Sequence, residues 1–201
     1  MRENSSEGDE GMQPTDGQEA DEEPKGPYDD ETRLRVLSIQ ERRPMGHEIQ
    51  CITEPSLHIV RSRVNDVNGV EIGKAIVLPS DHLGPLSEVR LKDLSGSAQQ
   101  EIVAALSASV KADSDRHIGF YNRANNLSLK FHAFQLLPGI GNSKAIQMVQ
   151  ARGLAGWSSF EEIDEACGIA SVRLLAERYL MEMRDVAQTP RLLDLLVRSE
   201  L

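Results

Sequence analysis

Leu137-Pro138-Gly139-Ile140-Gly141 constrains this chain more than any other feature, because such a run demands an abrupt reversal between two packed helices. Pro138 fixes φ at the entry to the bend. Gly139 and Gly141 admit positive φ and leave the backbone bare, so a ligand can approach it closely. Ile140 is placed to pack down between the helices. The second helix then starts near Asn142, with the unpaired N–H groups of Gly141, Asn142 and Ser143 at its positive end. That arrangement is an anion site, and Lys144 adds a cation one step on.

Charge along the chain supports a polyanion there. The formal net charge is −10. Residues 1–31 hold 12 carboxylates against Arg2 and Lys25, which leaves 20 acids and 20 bases for the rest. The acidity therefore belongs to a tail. From Arg116 to Phe160 there is no Asp or Glu, while Arg116, Arg123, Lys130, Lys144 and Arg152 all fall inside the window, with His117 and His132. A stretch free of carboxylates favours a chain of phosphates.

Residues 1–31 carry almost no large apolar side chains, so we expect a disordered acidic tail. Residues 32–94 read as a small OB-like β domain. Leu34 to Ile39 alternate apolar and polar, Glu48–Ile52 and Leu57–Arg61 follow, Asn68-Gly69 marks a turn, and Ala75–Leu78 ends at Pro79. Arg61 and Arg63, two apart, would share one sheet face, and with Lys74 form a secondary set of contacts. Residues 95–201 read as a helical domain. Ser97 fits a helix cap with Gln100 three residues on, and Ile102, Leu106 and Val110 follow at helical spacing. A first hairpin spans 128–152, with Phe131 and Phe134 turned inward from its opening helix, His132 near that helix's start, and Ala145, Met148 and Val149 on its second. A degenerate second hairpin spans 160–186 around Cys167-Gly168-Ile169-Ala170-Ser171, with Gly168 as a weak contact beside Glu161, Glu162, Asp164 and Glu165. Val172, Leu175, Tyr179, Met183 and Val186 line one stripe of the last long helix, and Leu192–Val197 is a short terminal one. The fold class is thus α+β.

Enzymatic chemistry finds little support. Gly69 to Ala75 imitates a phosphate loop but has three residues between its glycines and Ala75 where a hydroxyl is needed. The histidines at 47, 58, 82, 117 and 132 lack ligand spacing, and Cys51 and Cys167 are the only cysteines, so no metal or other cofactor is expected. No apolar run is long enough to span a membrane, the N-terminus does not read as a secretory signal, and two unpaired cysteines suit a cytoplasmic protein.

Phe120-Tyr121-Asn122-Arg123-Ala124, Leu127-Ser128, Lys130-Phe131-His132 and Gln135 through Gly141 together resemble an uncharacterised archaeal family, domain-of-unknown-function family 655, regarded as nucleic-acid-binding. The resemblance continues at Ile72-Gly73-Lys74, Asp93-Leu94-Ser95, Ala151-Arg152 and Ser159–Ile163, and spans most of residues 45–185. It implies an OB-like unit followed by a helix-hairpin-helix. Relatives carry lysines where this chain has Asn142-Ser143, and begin near the first strand, so the acidic tail looks like an addition. The expected function is non-enzymatic binding of DNA or RNA without sequence specificity, through Leu137 to Lys144 with Lys130, Arg123 and Arg152. The alternative is an adaptor on the translation or transcription machinery that uses the hairpin for packing.

Overall fold

β1 (Arg33–Glu41), β2 (His47–Glu54) and β3 (Ile59–Val64) form an antiparallel meander, with β1 and β2 buried along most of their length and a bulge in β1 between Val36 and Ser38. The computed structural model describes residues 26–198. β4 (Ala75–Val77) pairs with β1 and β5 (Ser87–Glu88) with β3, giving a five-stranded antiparallel sheet of order β4-β1-β2-β3-β5. β4 and β5 are its edges. Among the described residues no pairing closes it into a barrel. Most of the expected acidic tail, residues 1–25, lies outside the described residues. Residues 26–31, assigned to that tail from composition, are instead a turn packed on the sheet: Tyr28 covers apolar strand residues, and the buried Glu31 carboxylate accepts the Ser56 amide at 3.2 Å.

The two sheet faces are buried differently. Leu34, Val36, Ile49, Cys51, Val60 and Val64 point to one side, where loop residues such as Val67, Val70 and Leu83 cover them. Leu37, Ile52 and Ile59 point to the other side and join the helices in one continuous core. α1 (Gly96–Ala112) lies across that face, with Ile102, Leu106 and Val110 buried as their spacing requires. Its cap is Ser95 rather than Ser97. The Ser95 hydroxyl accepts the Ala98 amide, and its own N–H is held by Gln50 Oε1 at 3.0 Å, which fixes where the helix can start.

At the far end of α1, Ser109 Oγ donates to Glu54 Oε1 at 2.6 Å, and Arg35 Nε reaches the same oxygen at 2.7 Å. A buried carboxylate is tolerable only when paired and hydrogen-bonded in this way.

α2 (Ser114–Arg123) follows, then a two-stranded ribbon, β6 (Asn126–Ser128) and β7 (Phe131–His132), and a 3-10 turn, Ala133–Leu136. This replaces the helix expected from Ser128. Leu127, Leu129 and Phe131 alternate with polar residues, and the ribbon leaves them 51%, 104% and 38% exposed. Only Phe134 turns fully inward. α3 (Asn142–Arg152), α4 (Phe160–Cys167) and α5 (Ser171–Arg184) complete the layer, with α5 packed along α1. Val172, Leu175 and Tyr179 are buried and Met183 half-buried, but α5 ends before Val186, which is exposed. A short π-helical turn, Leu193–Val197, closes the described chain.

Candidate nucleic-acid interface

The 3-10 turn leads straight into the glycine bend. His132 caps it: Nδ1 accepts the Phe134 amide at 3.1 Å, while Gln135 Oε1 accepts the His132 amide at 2.8 Å. With Nδ1 accepting the Phe134 amide, the ring proton sits on Nε2, and burial, then the nearby Arg152 guanidinium, lower the His132 pKa. Leu137 is buried and Ile140 nearly so, and the Ile140 amide closes the bend on the Leu137 carbonyl at 3.2 Å. Gly139 has φ +75°, which explains its identity. Gly141 does not use positive φ; at φ −85° and ψ 176° it is an extended helix cap. At both glycines no atom lies within 4 Å of where a Cβ would sit, so the space above the backbone is open.

α3 begins there with no side chain capping it. Among the described residues, the amides of Gly141, Asn142 and Ser143 have no hydrogen-bond partner, and all three residues are exposed. They present donors and the positive end of the helix dipole to solvent. Lys144 is half-buried, makes no ion pair among the described residues, and leans toward Gly168, where a Cβ would lie 4.0 Å from Nζ.

The structure thereby brings the two bends together and shows how they differ. Gly168 ends α4 in the left-handed region, and its amide returns to the Asp164 carbonyl at 2.7 Å. The Asp164 carboxylate then accepts the Ser171 amide, at the start of α5, at 2.7 Å. That amide is already occupied by an anion from within the chain.

The other sequence-chosen cations have separate placements. Lys130 and Arg123 are exposed, Lys130 on the ribbon and Arg123 folded back over Gly119. Arg152 is engaged inside the fold: its Nη1 donates to the carbonyls of Tyr121, Asn122 and Ala124 at 3.1, 3.2 and 2.6 Å, and its guanidinium lies 5.7 Å from the Phe134 ring centre. Arg61 and Arg63 do share an exposed face of β3, over a shallow groove with Glu48, Ser62, Pro85 and Ser87. Glu48 is within 4.0 Å of Arg61 and bonded to Arg42 at 2.7 Å. Lys74 pairs with Glu71 at 2.8 Å.

Sequence reasoning missed the residues that seat the bend. Arg178 on α5 donates to the Leu136 carbonyl at 3.3 Å and to the Pro190 carbonyl at 2.7 Å, and is held by the fully buried Glu182 at 2.6 Å. Asn122 grips Trp157 in the connection between the bends, through Nδ2 to O at 2.8 Å and N to Oδ1 at 2.9 Å. The i,i+4 spacing of Arg178 and Glu182 was visible, but nothing in the sequence placed that face inward. Among the described residues no cluster of His, Cys, Asp or Glu is arranged to hold a metal, and no helix is long and apolar enough to cross a membrane.

The fold is an antiparallel sheet backed by helices, with the helix-entry bend at α3 open and that at α5 closed by Asp164. The chain belongs to the family described as "Protein of unknown function (DUF655)", whose model matches residues 46–192. An uncharacterised protein of Methanocaldococcus jannaschii is 27% identical over 116 residues, which cover 58% of this chain and 52% of that protein, so the match spans about half the relative's length. A crystal structure from Archaeoglobus fulgidus, assigned to the same family, superposes with a TM-score of 0.72 at 19% identity, covering 81% of this chain and 99% of that one. At that identity the likeness speaks for the fold.

Proposed function

We propose that this protein is a non-enzymatic nucleic-acid-binding protein that holds a phosphate backbone, without reading sequence, at the N-terminus of α3. In this reading the two bends form a helix-hairpin-helix pair with one working half, and the five-stranded sheet is an OB-like unit that supports it. One observation carries the proposal: the amides of Gly141, Asn142 and Ser143 are exposed and unpartnered, whereas the Ser171 amide of the second bend is taken by Asp164. Backbone donors recognise phosphate and not bases, so affinity is set by charge. Exposed Lys130 and Arg123, within a stretch of chain that has no carboxylate, extend the favourable field.

Binding should weaken linearly in log salt, with a slope of roughly −0.7 to −0.9 per phosphate engaged. A salt series by fluorescence anisotropy tests this with the full chain. No binding to duplex or single-stranded probes at low salt would reject it. Leu154, fully exposed on the connection after α3, favours the other reading, an adaptor on the translation or transcription machinery. A partner retained through nuclease treatment and lost on Leu154→Ser would support that reading.

A further inference from the structure

Next to the bend, the β6–β7 ribbon and α3 enclose a groove of about 490 Å³ whose chemistry differs from that of a phosphate site. Its polar lining residues include Asn125, Asn126, Asn142 and Gln150, whose carboxamides make no hydrogen bond within the described residues. Each carboxamide carries both a donor and an acceptor, the combination that matches a base edge. The Nε2–H of His132 adds a donor, because Nδ1 is committed to the Phe134 amide. The apolar lining includes the 38% exposed Phe131 ring and the 51% exposed Ile146. The groove contains Lys130 and Arg152 and no carboxylate. Asn142 belongs to both places: its backbone amide is one of the free donors at the bend, and the residue also lines the groove.

A flat ring with hydrogen-bonding edges, attached to a phosphate one step away, satisfies these features together. The volume lies within the roughly 300–1,000 Å³ of pockets that hold small ligands. A paired base in a duplex hides its face and its Watson–Crick edge, so an occupant that stacks on Phe131 must be unpaired. We propose that this groove receives an unpaired nucleobase of a single-stranded stretch of DNA or RNA whose backbone is held at the bend, an inference that rests on the phosphate-binding reading. Phe131 supplies the stacking surface and the carboxamides contact the base edge. The protein would then prefer single strands, loops or bulges to blunt duplex.

The test compares labelled oligothymidine, oligouridine, an abasic strand of the same length and a blunt duplex, by anisotropy with the full chain at low salt. The base-bearing strands are expected to bind roughly five- to 150-fold tighter than the abasic strand, the worth of one stacked base. The tighter of the two names the strand type. Phe131→Ala with Asn125→Ala should bring them to the abasic value, leaving abasic binding and the melting temperature unchanged. Abasic and base-bearing strands bound equally would overturn the inference while leaving phosphate binding intact. So would base-dependent binding that survives the double variant, which would leave the groove to some other occupant such as a peptide. Oligothymidine bound without any abasic binding would refute the phosphate reading and, with it, the claim that the bend holds the backbone of the strand whose base enters the groove.

Discussion

Gly141→Val separates binding from folding at the bend. The backbone at Gly141 is extended, a region a β-branched residue adopts without strain, and no atom lies within 4 Å of the new Cβ. Losing a glycine cap costs about 1 kcal/mol. The smaller entropy of the unfolded chain returns about 0.4–1 kcal/mol. The net change should stay within about 1 kcal/mol, a shift of roughly 2–4 °C in Tm for a chain this long. The branched side chain, however, stands in the open space before the amides of Asn142 and Ser143. Loss of one hydrogen bond to a charged phosphate is worth about 1.5–3 kcal/mol, which is roughly 10- to 150-fold in Kd. Calorimetry and an anisotropy salt series on the same preparation give both quantities, and the slope should fall by roughly 0.7–0.9 for each phosphate released. Gly139→Val is the contrast, since φ +75° makes it lose stability as well. A Gly141→Val protein that melts like the parent and binds as tightly, with the same slope, refutes the reasoning.

Lys130→Ala should lower the salt slope by about one phosphate with no change in Tm, whereas Arg152→Ala should lower Tm by freeing three carbonyls; the reverse pattern would reassign both cations. Asp164→Ala should uncover the Ser171 amide and remove a negative charge, raising affinity about two- to tenfold in anisotropy while lowering stability by about 1 kcal/mol, with Asp164→Asn restoring the stability and part of the occlusion. Burial holds the His117 pKa below its ordinary value near 6.5, so the folded state keeps the ring neutral while the unfolded chain takes up the proton first. Stability is then full above about pH 6.5 and falls as pH drops toward the folded pKa, and the Tm difference between about pH 7.5 and pH 5.5 should narrow in His117→Gln.

The strands β1 to β4, the long helices and the glycine bend were legible because each rests on local periodicity or on a turn that only certain residues make. Leu34 to Ile39 alternate, and Ile102, Leu106 and Val110 recur at helical spacing. The ribbon was misread as a helix although Leu127, Leu129 and Phe131 also alternate: the run is short, and both of its apolar edges are left in solvent, so burial gave no help. That error hid the groove. The burial of Arg178, Glu182, Arg35 and Glu54 could not be read either, because ion pairs enter a core through tertiary contacts and leave no periodic signature. Arg152 looked like a phosphate ligand from its sequence neighbours, and only the approach of the α2 end gives it carbonyls to bind.

The hold of Arg178 on Leu136 and Pro190 makes the last part of the described chain a foundation for a bend more than 40 positions earlier. Glu182, which steadies Arg178, also accepts the amides of Leu192 and Leu193 at 2.9 Å each, and Arg198 reaches back to the Ser56 carbonyl at 3.1 Å. These bonds buttress the glycine corner from behind and strap it to the sheet. A shortened version ending soon after α5 would keep every exposed donor of the corner, and Arg178 against Leu136, yet lose the Pro190, Leu192 and Leu193 groups that hold Arg178 and Glu182 in place and the Arg198 strap to the sheet. Trimming for crystallisation or fusion should therefore be done at the acidic end of the molecule.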